Sequence, residues 1–169
     1  MEIRQEREQD YPEIYRLVKE AFAASQHADG REQDLVEALR KGSAYLPELA
    51  LVAEEDGLLA GHIMLTRAGV GDAPVLVLAP LSVRPEFQRQ GVGTALMERA
   101  HEIARARGEE YILVLGSEEY YPRAGYRPAE ELGVTVPEGI PSANFMALRL
   151  REDAEPLGGT VAYAPEFGL

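Results

Sequence analysis
"LSVRPEFQRQGVGTAL", residues 81–96, passes from an apolar strand through a loop into a helix. The wider run "PVLVLAPLSV" is apolar at successive positions, as in a strand buried on both faces. Beyond the loop, Val92, Leu96, Ala100 and Ile103 line one helical face, and Gly108 supplies the stop. A second buried strand, "YILVLG", then begins at Tyr111. Strand 76–83, helix 91–107 and strand 111–116 form one crossover unit, which makes the two strands parallel.

On the N-terminal side, residues 2–7 form a short strand. Asp10 is placed as the N-cap of a helix, with Glu13 reaching back to complete a capping box. Ile14, Leu17, Val18, Ala21 and Phe22 follow helical spacing until "SQHADG", and Leu35, Val36 and Leu39 mark a second short helix. "LALVAEEDGLLAGHIML" reads as strand, turn, strand, with Asp56-Gly57 as the hairpin signal. On the C-terminal side, "SEEYYPRAG" is a turn or short helix and "NFMALRL" a late strand. The predicted fold is α/β, a single domain over 1–169. It has a mixed, mostly antiparallel central sheet with one parallel β-α-β crossover and helices on both faces. The tail, 151–169, docks on the domain through "GGTVAYAPEFGL".

A chain of 169 residues buries roughly 70% of its unfolded surface, enough for an ordinary core. There is no cysteine, which excludes disulfides, thiolate metal sites and a cysteine nucleophile. The start "MEIRQEREQD" is too charged for a signal peptide. The longest apolar run, "APVLVLAPL", falls far short of the ~20 residues of a membrane helix. A cytoplasmic location with no membrane partner is expected. Net charge is −12. No Lys/Arg cluster is dense enough for a nucleic-acid face, so no nucleic-acid partner is expected. The acidity fits either a cationic small substrate or a solubility feature.

The loop has two physical readings. Gly91 and Gly93 carry no Cβ, so backbone amides there can approach a ligand closely. The first turn of a helix has unpaired N–H groups and a partial positive charge, which favours a phosphate. Equally, the glycines serve a tight turn and close helix packing. A P-loop needs Lys then Ser/Thr after its second glycine, and Thr94-Ala95 stand there instead. A dinucleotide fingerprint needs a third glycine where Leu96 stands, although Glu118 lies near the place of a ribose-binding acid.

Gln88-Arg89-Gln90-Gly91-Val92-Gly93, with its lead-in through Pro85 and Phe87, resembles the central motif of the GNAT superfamily of acyl-CoA-dependent N-acyltransferases. That motif is Gln or Arg, two residues, Gly, one residue, then Gly or Ala. A second family motif fits Tyr121-Pro122-Arg123-Ala124-Gly125-Tyr126. "LVEALR" and the closing "GGTVAYAPEF" further resemble a small bacterial branch of predicted N-acetyltransferases. The resemblance implies a transferase that moves an acetyl group from acetyl-CoA to a primary amine by direct attack. A cofactor-binding sensor or partner module without turnover is the alternative. The acceptor is then a small-molecule or peptide amine, and the chain a monomer or homodimer.

Carried over from the family, Leu81, Ser82 and Val83 bond the pantetheine amides through their backbone. Arg89, Gln90, Gly91, Val92, Gly93 and Thr94 offer N–H groups to the pyrophosphate. Gln88 braces the loop or touches the cofactor. Arg123 either meets a cofactor phosphate or is a solvated charge. Backbone N–H near Val83 polarises the thioester carbonyl. Tyr121 stands at the general-acid position, with Tyr120 as the adjacent alternative. A phenol is protonated at neutral pH and able to donate. Family members often carry a Glu base on the central strand, but "VLVLAPL" has no acid. His62 is the candidate base, or else a structural histidine. His101-Glu102 superficially resembles a zinc helix, but position 105 is Arg, so no metal is expected.

Overall fold
The structure, a computed structural model, describes residues 1–25 and 28–168. Part of the predicted helix break, at Gln26 and His27, and the last residue of the tail lie outside the described residues. The strands are β1 (Glu2–Gln5), β2 (Tyr45–Glu55), β3 (Leu58–Val70), β4 (Ala73–Val83), β5 (Tyr111–Leu115), β6 (Arg127–Pro128), β7 (Val134–Thr135), β8 (Phe145–Arg149) and β9 (Gly159–Ala162). The α-helices are α1 (Tyr11–Phe22), α2 (Glu32–Arg40) and α3 (Val92–Ala106). The sheet runs β1-β2-β3-β4-β5-β8-β6, and β9 joins the edge of β3 at Gly69 and Val70. Within this path only β4 and β5 are parallel, as the crossover requires. This is the mixed α/β architecture that the pattern predicts.

The helices take opposite faces. Ile14, Leu17 and Val18 of α1 and Val36 and Leu39 of α2 pack on Ala50, Val52, Leu59 and Met64. Val92, Leu96, Met97 and Ala100 of α3 pack on Leu51, Ile63, Leu65 and Leu78. Alternation along β2 and β3 sends successive side chains to the two faces. The hairpin turns at Asp56 (φ 51°) and Gly57 (φ 80°), two left-handed residues that match the twist of the paired strands.

One expectation fails at the start of α1. Asp10 precedes the helix, but its side chain makes no cap bond to it. Its carboxylate instead takes Arg4 at 2.7 Å and the Arg7 N–H at 2.8 Å. Glu13 accepts the Leu59 N–H at 2.8 Å and Arg84 Nη2 at 3.0 Å, which ties α1 to β3 and β4. Charged partners and an unpaired strand amide outcompete a local cap worth about 1 kcal/mol.

β4 decides where a ligand can enter. Its register with β5 covers Leu76↔Ile112 and Val77↔Leu113. Its pairing with β3 continues to Val83. Between Leu78 and Leu81 the β3 register shifts by one, so β4 carries a bulge at Ala79-Pro80. A bulge bends its strand, and Pro80 has no N–H to give a ladder. The two parallel strands therefore part beyond Val77, beside the start of α3.

Candidate active site
The antiparallel ladder fixes which way the end of β4 faces. Arg84 N–H donates to Ala60 C=O at 2.8 Å, and the register runs Gly61↔Val83, His62↔Ser82, Ile63↔Leu81. Alternate pairs in such a ladder exchange hydrogen bonds. The Ser82 backbone thus bonds to β3, while the N–H and C=O groups of Leu81 and Val83 turn outward. Val83 C=O accepts Gln88 Nε2 at 3.2 Å. Of the three residues expected to offer backbone to a pantetheine arm, Leu81 and Val83 face the gap and Ser82 does not.

The loop after β4 is held by its own amides. Phe87 N–H returns to Arg84 C=O at 2.8 Å, and Gln90 Nε2 donates to Glu86 C=O at 2.9 Å. Arg89 (φ 63°) and Gly91 (φ 84°) are both left-handed. α3 starts without a side-chain cap and without an acid in its first turn. The amide of Ala95 is bonded to Gly91 C=O at 3.0 Å. The amides of Val92, Gly93 and Thr94 precede it and have no helical partner. Uncapped amides and an uncompensated helix dipole make this end a place for an anion. Arg89, Gln90, Gly91 and Thr94 are exposed there, and Val92, the first residue of α3, is buried against the sheet.

The two glycines do different work. A Cβ on Gly91 would have no neighbour within 4 Å, so its backbone angle is what calls for glycine. A Cβ on Gly93 would lie 3.1 Å from Tyr120 Oη, 3.5 Å from Val83 and 3.8 Å from Leu81. Close packing is what calls for glycine there.

Tyr121 is buried in the core that α3 packs on, and stands on a 3₁₀ turn (Tyr121–Ala124) that ends at Gly125 (φ 97°). Its ring meets Tyr120 edge-on at 5.2 Å and Tyr126 at 5.5 Å. Burial pushes its phenol well above the ordinary range, aided by Tyr120, so it stays protonated. Arg123 is exposed. Two residues that the sequence reading passed over hold this turn. Ser117 Oγ accepts the N–H groups of Glu119 (3.2 Å) and Tyr120 (3.1 Å). A Cβ on Gly116 would lie 2.6 Å from the Tyr121 ring. A serine just past a strand end, in "LGSEEYY", was the available signal.

His62 occupies a different place from the one a base needs. It is fully buried on the α1–α2 face, with Nε2 3.0 Å from Glu6 Oε1. Arg40 grips Glu6 through Nε (2.7 Å) and Nη2 (2.9 Å), and Tyr45 Oη donates to it at 2.7 Å. Burial alone would raise the Glu6 pKa. The hydrogen bonds from His62, Arg40 and Tyr45 outweigh it and hold the carboxyl down at about 2. An ionised carboxylate only accepts, so His62 Nε2 carries the proton. His62 is a member of this network with no exposed atom to meet an amine. His101 is likewise buried, bonded to Tyr126 Oη at 2.9 Å, and burial lowers its pKa to about 4. Among the described residues no three His, Asp or Glu side chains come together as metal ligands, and no helix is long and apolar enough to cross a membrane.

Residues 6–126 match the model of the acetyltransferase (GNAT) family. An uncharacterized N-acetyltransferase of Escherichia coli strain K12, YjhQ, is 39% identical over 137 residues, covering 78% of this chain and 73% of that protein. A GNAT family acetyltransferase from Brucella melitensis, solved in complex with acetyl-CoA, is 32% identical with a TM-score of 0.82, covering 98% of this chain and 97% of that one. The E. coli GNAT family N-acetyltransferase YhbS, solved in complex with CoA, is 26% identical with a TM-score of 0.89, covering 99% and 92%. The match takes in the parted strands, the uncapped helix and the Tyr121 turn together, and the chain belongs to the GNAT acetyltransferase family.

Proposed function
We propose that the chain transfers the acetyl group of acetyl-CoA to a primary amine by direct attack. One observation carries this reading: the backbone of Leu81 and Val83 turns outward into a gap that opens beside the uncapped start of α3. A long ligand with an anionic end and an amide-bearing arm fits that shape. The amides from Arg89 to Thr94 hold the diphosphate, with Gln88 bracing the loop through Val83 C=O. Leu81 and Val83 hold the arm by strand-like hydrogen bonds.

The cofactor supplies the acetyl group as a thioester. Val83 N–H, turned away from β3, would donate to the thioester carbonyl oxygen and stabilise the charge that grows there. As the amine nitrogen bonds to the carbonyl carbon and the carbon–sulfur bond breaks, Tyr121 would give its proton to the sulfur and take one back from solvent after release. The amine loses its own proton to water, because His62 is sealed in its network. Arg123, exposed on the Tyr121–Ala124 turn, would meet a cofactor phosphate. The acceptor is a small-molecule or peptide amine, and the protein works in the cytoplasm.

Two measurements test this. Acetyl-CoA at 100 times its dissociation constant is expected to add about 2.7 kcal/mol of stability, and NAD nothing. A coupled assay over an amine panel is expected to release free CoA thiol with at least one amine. Binding without turnover on any amine would favour a sensor, and stabilisation by NAD alone would favour a dinucleotide site.

A further inference from the structure
Tyr120 is the residue that the proposed reaction leaves unused, and its hydroxyl lies in an unexpected place. The ring is half-buried against the α3-side core. Its Oη is 3.3 Å from Thr94 Oγ1, in the first turn of α3. It also approaches the point where a Gly93 Cβ would stand, to 3.1 Å, and Leu81 and Val83 converge on the same point. Ser117 Oγ fixes the Tyr120 backbone by accepting its N–H. The hydroxyl therefore sits at the first turn of α3, beside the side-chain methyls of Leu81 and Val83.

Resting on the proposed function, we infer that Tyr120 is a positioning residue for the diphosphate site, acting through Thr94, rather than a second acid. A phenol is the better donor of the two hydroxyls, so Tyr120 donates to Thr94 Oγ1. That leaves the Thr94 proton free to point at the anion seated on the helix start. Hydrogen bonds in series polarise one another, so the pair acts as one donor stronger than Thr94 alone. The geometry also bears on Gly93: a Cβ there would crowd the Tyr120 hydroxyl, which would have to give way by a few tenths of an ångström.

The test is a double-mutant cycle with Tyr120→Phe and Thr94→Val, each removing one hydroxyl and keeping the shape. CoA affinity is measured by calorimetry, and KM and kcat by thiol release. Each single variant is expected to weaken CoA binding by about 10-fold, the worth of a hydrogen bond to a charged group. The double variant is expected to lose little more than either single, because one chain is broken twice. KM for acetyl-CoA rises in step, while kcat at saturation holds within about twofold. S-acetylpantetheine, which lacks the diphosphate, is expected to show the same KM with wild type and Tyr120→Phe. Wild-type CoA affinity in Tyr120→Phe overturns the inference, and so do fully additive losses. A fall in kcat at unchanged affinity overturns it too and makes Tyr120 the acid. If the wild type itself binds no CoA, the failure is that of the proposed function.

Discussion

The two polar sites that flank the end of β4 are built from different material. On one side, the groups turned towards the gap are largely main chain: the amides of Leu81 and Val83 and of the first turn of α3. They come from one stretch of sequence and are left open. On the other side, behind His62, four side chains from β1's end, α2, β2 and β3 close on each other, with Glu6 and His62 fully buried. Arg40 also stacks on the Tyr11 ring at 3.7 Å. The open site has unmet hydrogen-bonding capacity and can bind. The closed one has charges that satisfy each other and can only hold the fold together. Removing a partner should therefore damage function on the first side and stability on the second.

The sharpest break of that contrast is Tyr121→Phe. Loss of the hydroxyl is expected to lower kcat by about 10²–10⁴-fold, the usual worth of a general acid. KM for acetyl-CoA should hardly move, because the interaction matters in the transition state. Unchanged kcat would remove Tyr121 from the chemistry. Next comes Glu6→Ala, which leaves Arg40 and His62 buried without their acceptor. Urea unfolding is expected to show a loss of about 3–5 kcal/mol, the cost of stranding a buried charge. CoA affinity of the folded fraction should be unaffected. Weakened CoA binding in that variant would mean that the two sites are coupled through β3 and β4.

Gly91→Val probes the open side by its backbone. A β-branched residue at φ 84° is strained, so the substitution disturbs the backbone of the loop even though its Cβ meets only open space. Calorimetry is expected to show CoA affinity reduced by about 100-fold, equivalent to ~2.7 kcal/mol, in a protein that still unfolds cooperatively. Wild-type affinity would mean that the loop does not hold the diphosphate.

The smallest effect, absent at neutral pH, is titration of two buried groups, Glu6 on the closed side and His101 on α3. The unfolded chain protonates a glutamate near 4.5, whereas folded Glu6 stays ionised to about 2. Its contribution is complete above pH 4.5 and is lost as pH falls towards 2. His101 acts higher. Burial holds its folded pKa at about 4 against an ordinary 6.5, so acid favours the unfolded state from pH 6.5 downward. Thermal midpoints measured against pH should fall through both windows. Glu6→Gln should flatten the lower window and His101→Gln the upper one. If the single variants leave both slopes intact, other carboxylates govern acid unfolding.

Much of the open side was legible along the chain. The strand "PVLVLAPLSV", the glycines at 91 and 93 and the helix pattern after them are local signals. The structure has a strand to Val83 and a helix from Val92. The closed side was not legible. Glu6 and Arg40 are separated by 34 residues, Glu6 and His62 by 56, and no local pattern joins them. His62 thus read as a candidate base when its carboxylate partner was invisible. Asp10 and Glu13 misled because they have the spacing of a capping box, but Arg4 and the Arg7 N–H claimed the first carboxylate, and Leu59 and Arg84, distant in sequence, claimed the second. Tyr120 and Tyr121 are neighbours whose separate surroundings could not be told apart in sequence. One hydroxyl reaches Thr94 on α3, while the other ring packs over Gly116.

By itself the sequence determined the elements whose cause is local: strand and helix periods, the Asp56-Gly57 hairpin, the parallel crossover, and a glycine-bearing loop at a helix start. Backbone preference and hydrophobic period act over a few residues, so they are written where they operate. The tertiary structure decided what depends on register and on distant partners. It turned Leu81 and Val83 outward and Ser82 inward. It closed His62 against Glu6, and it brought Tyr120 to the mouth of α3. A one-residue bulge at Ala79-Pro80 parts β4 from β5, and bulge position follows from the pairing of strands rather than from either strand alone.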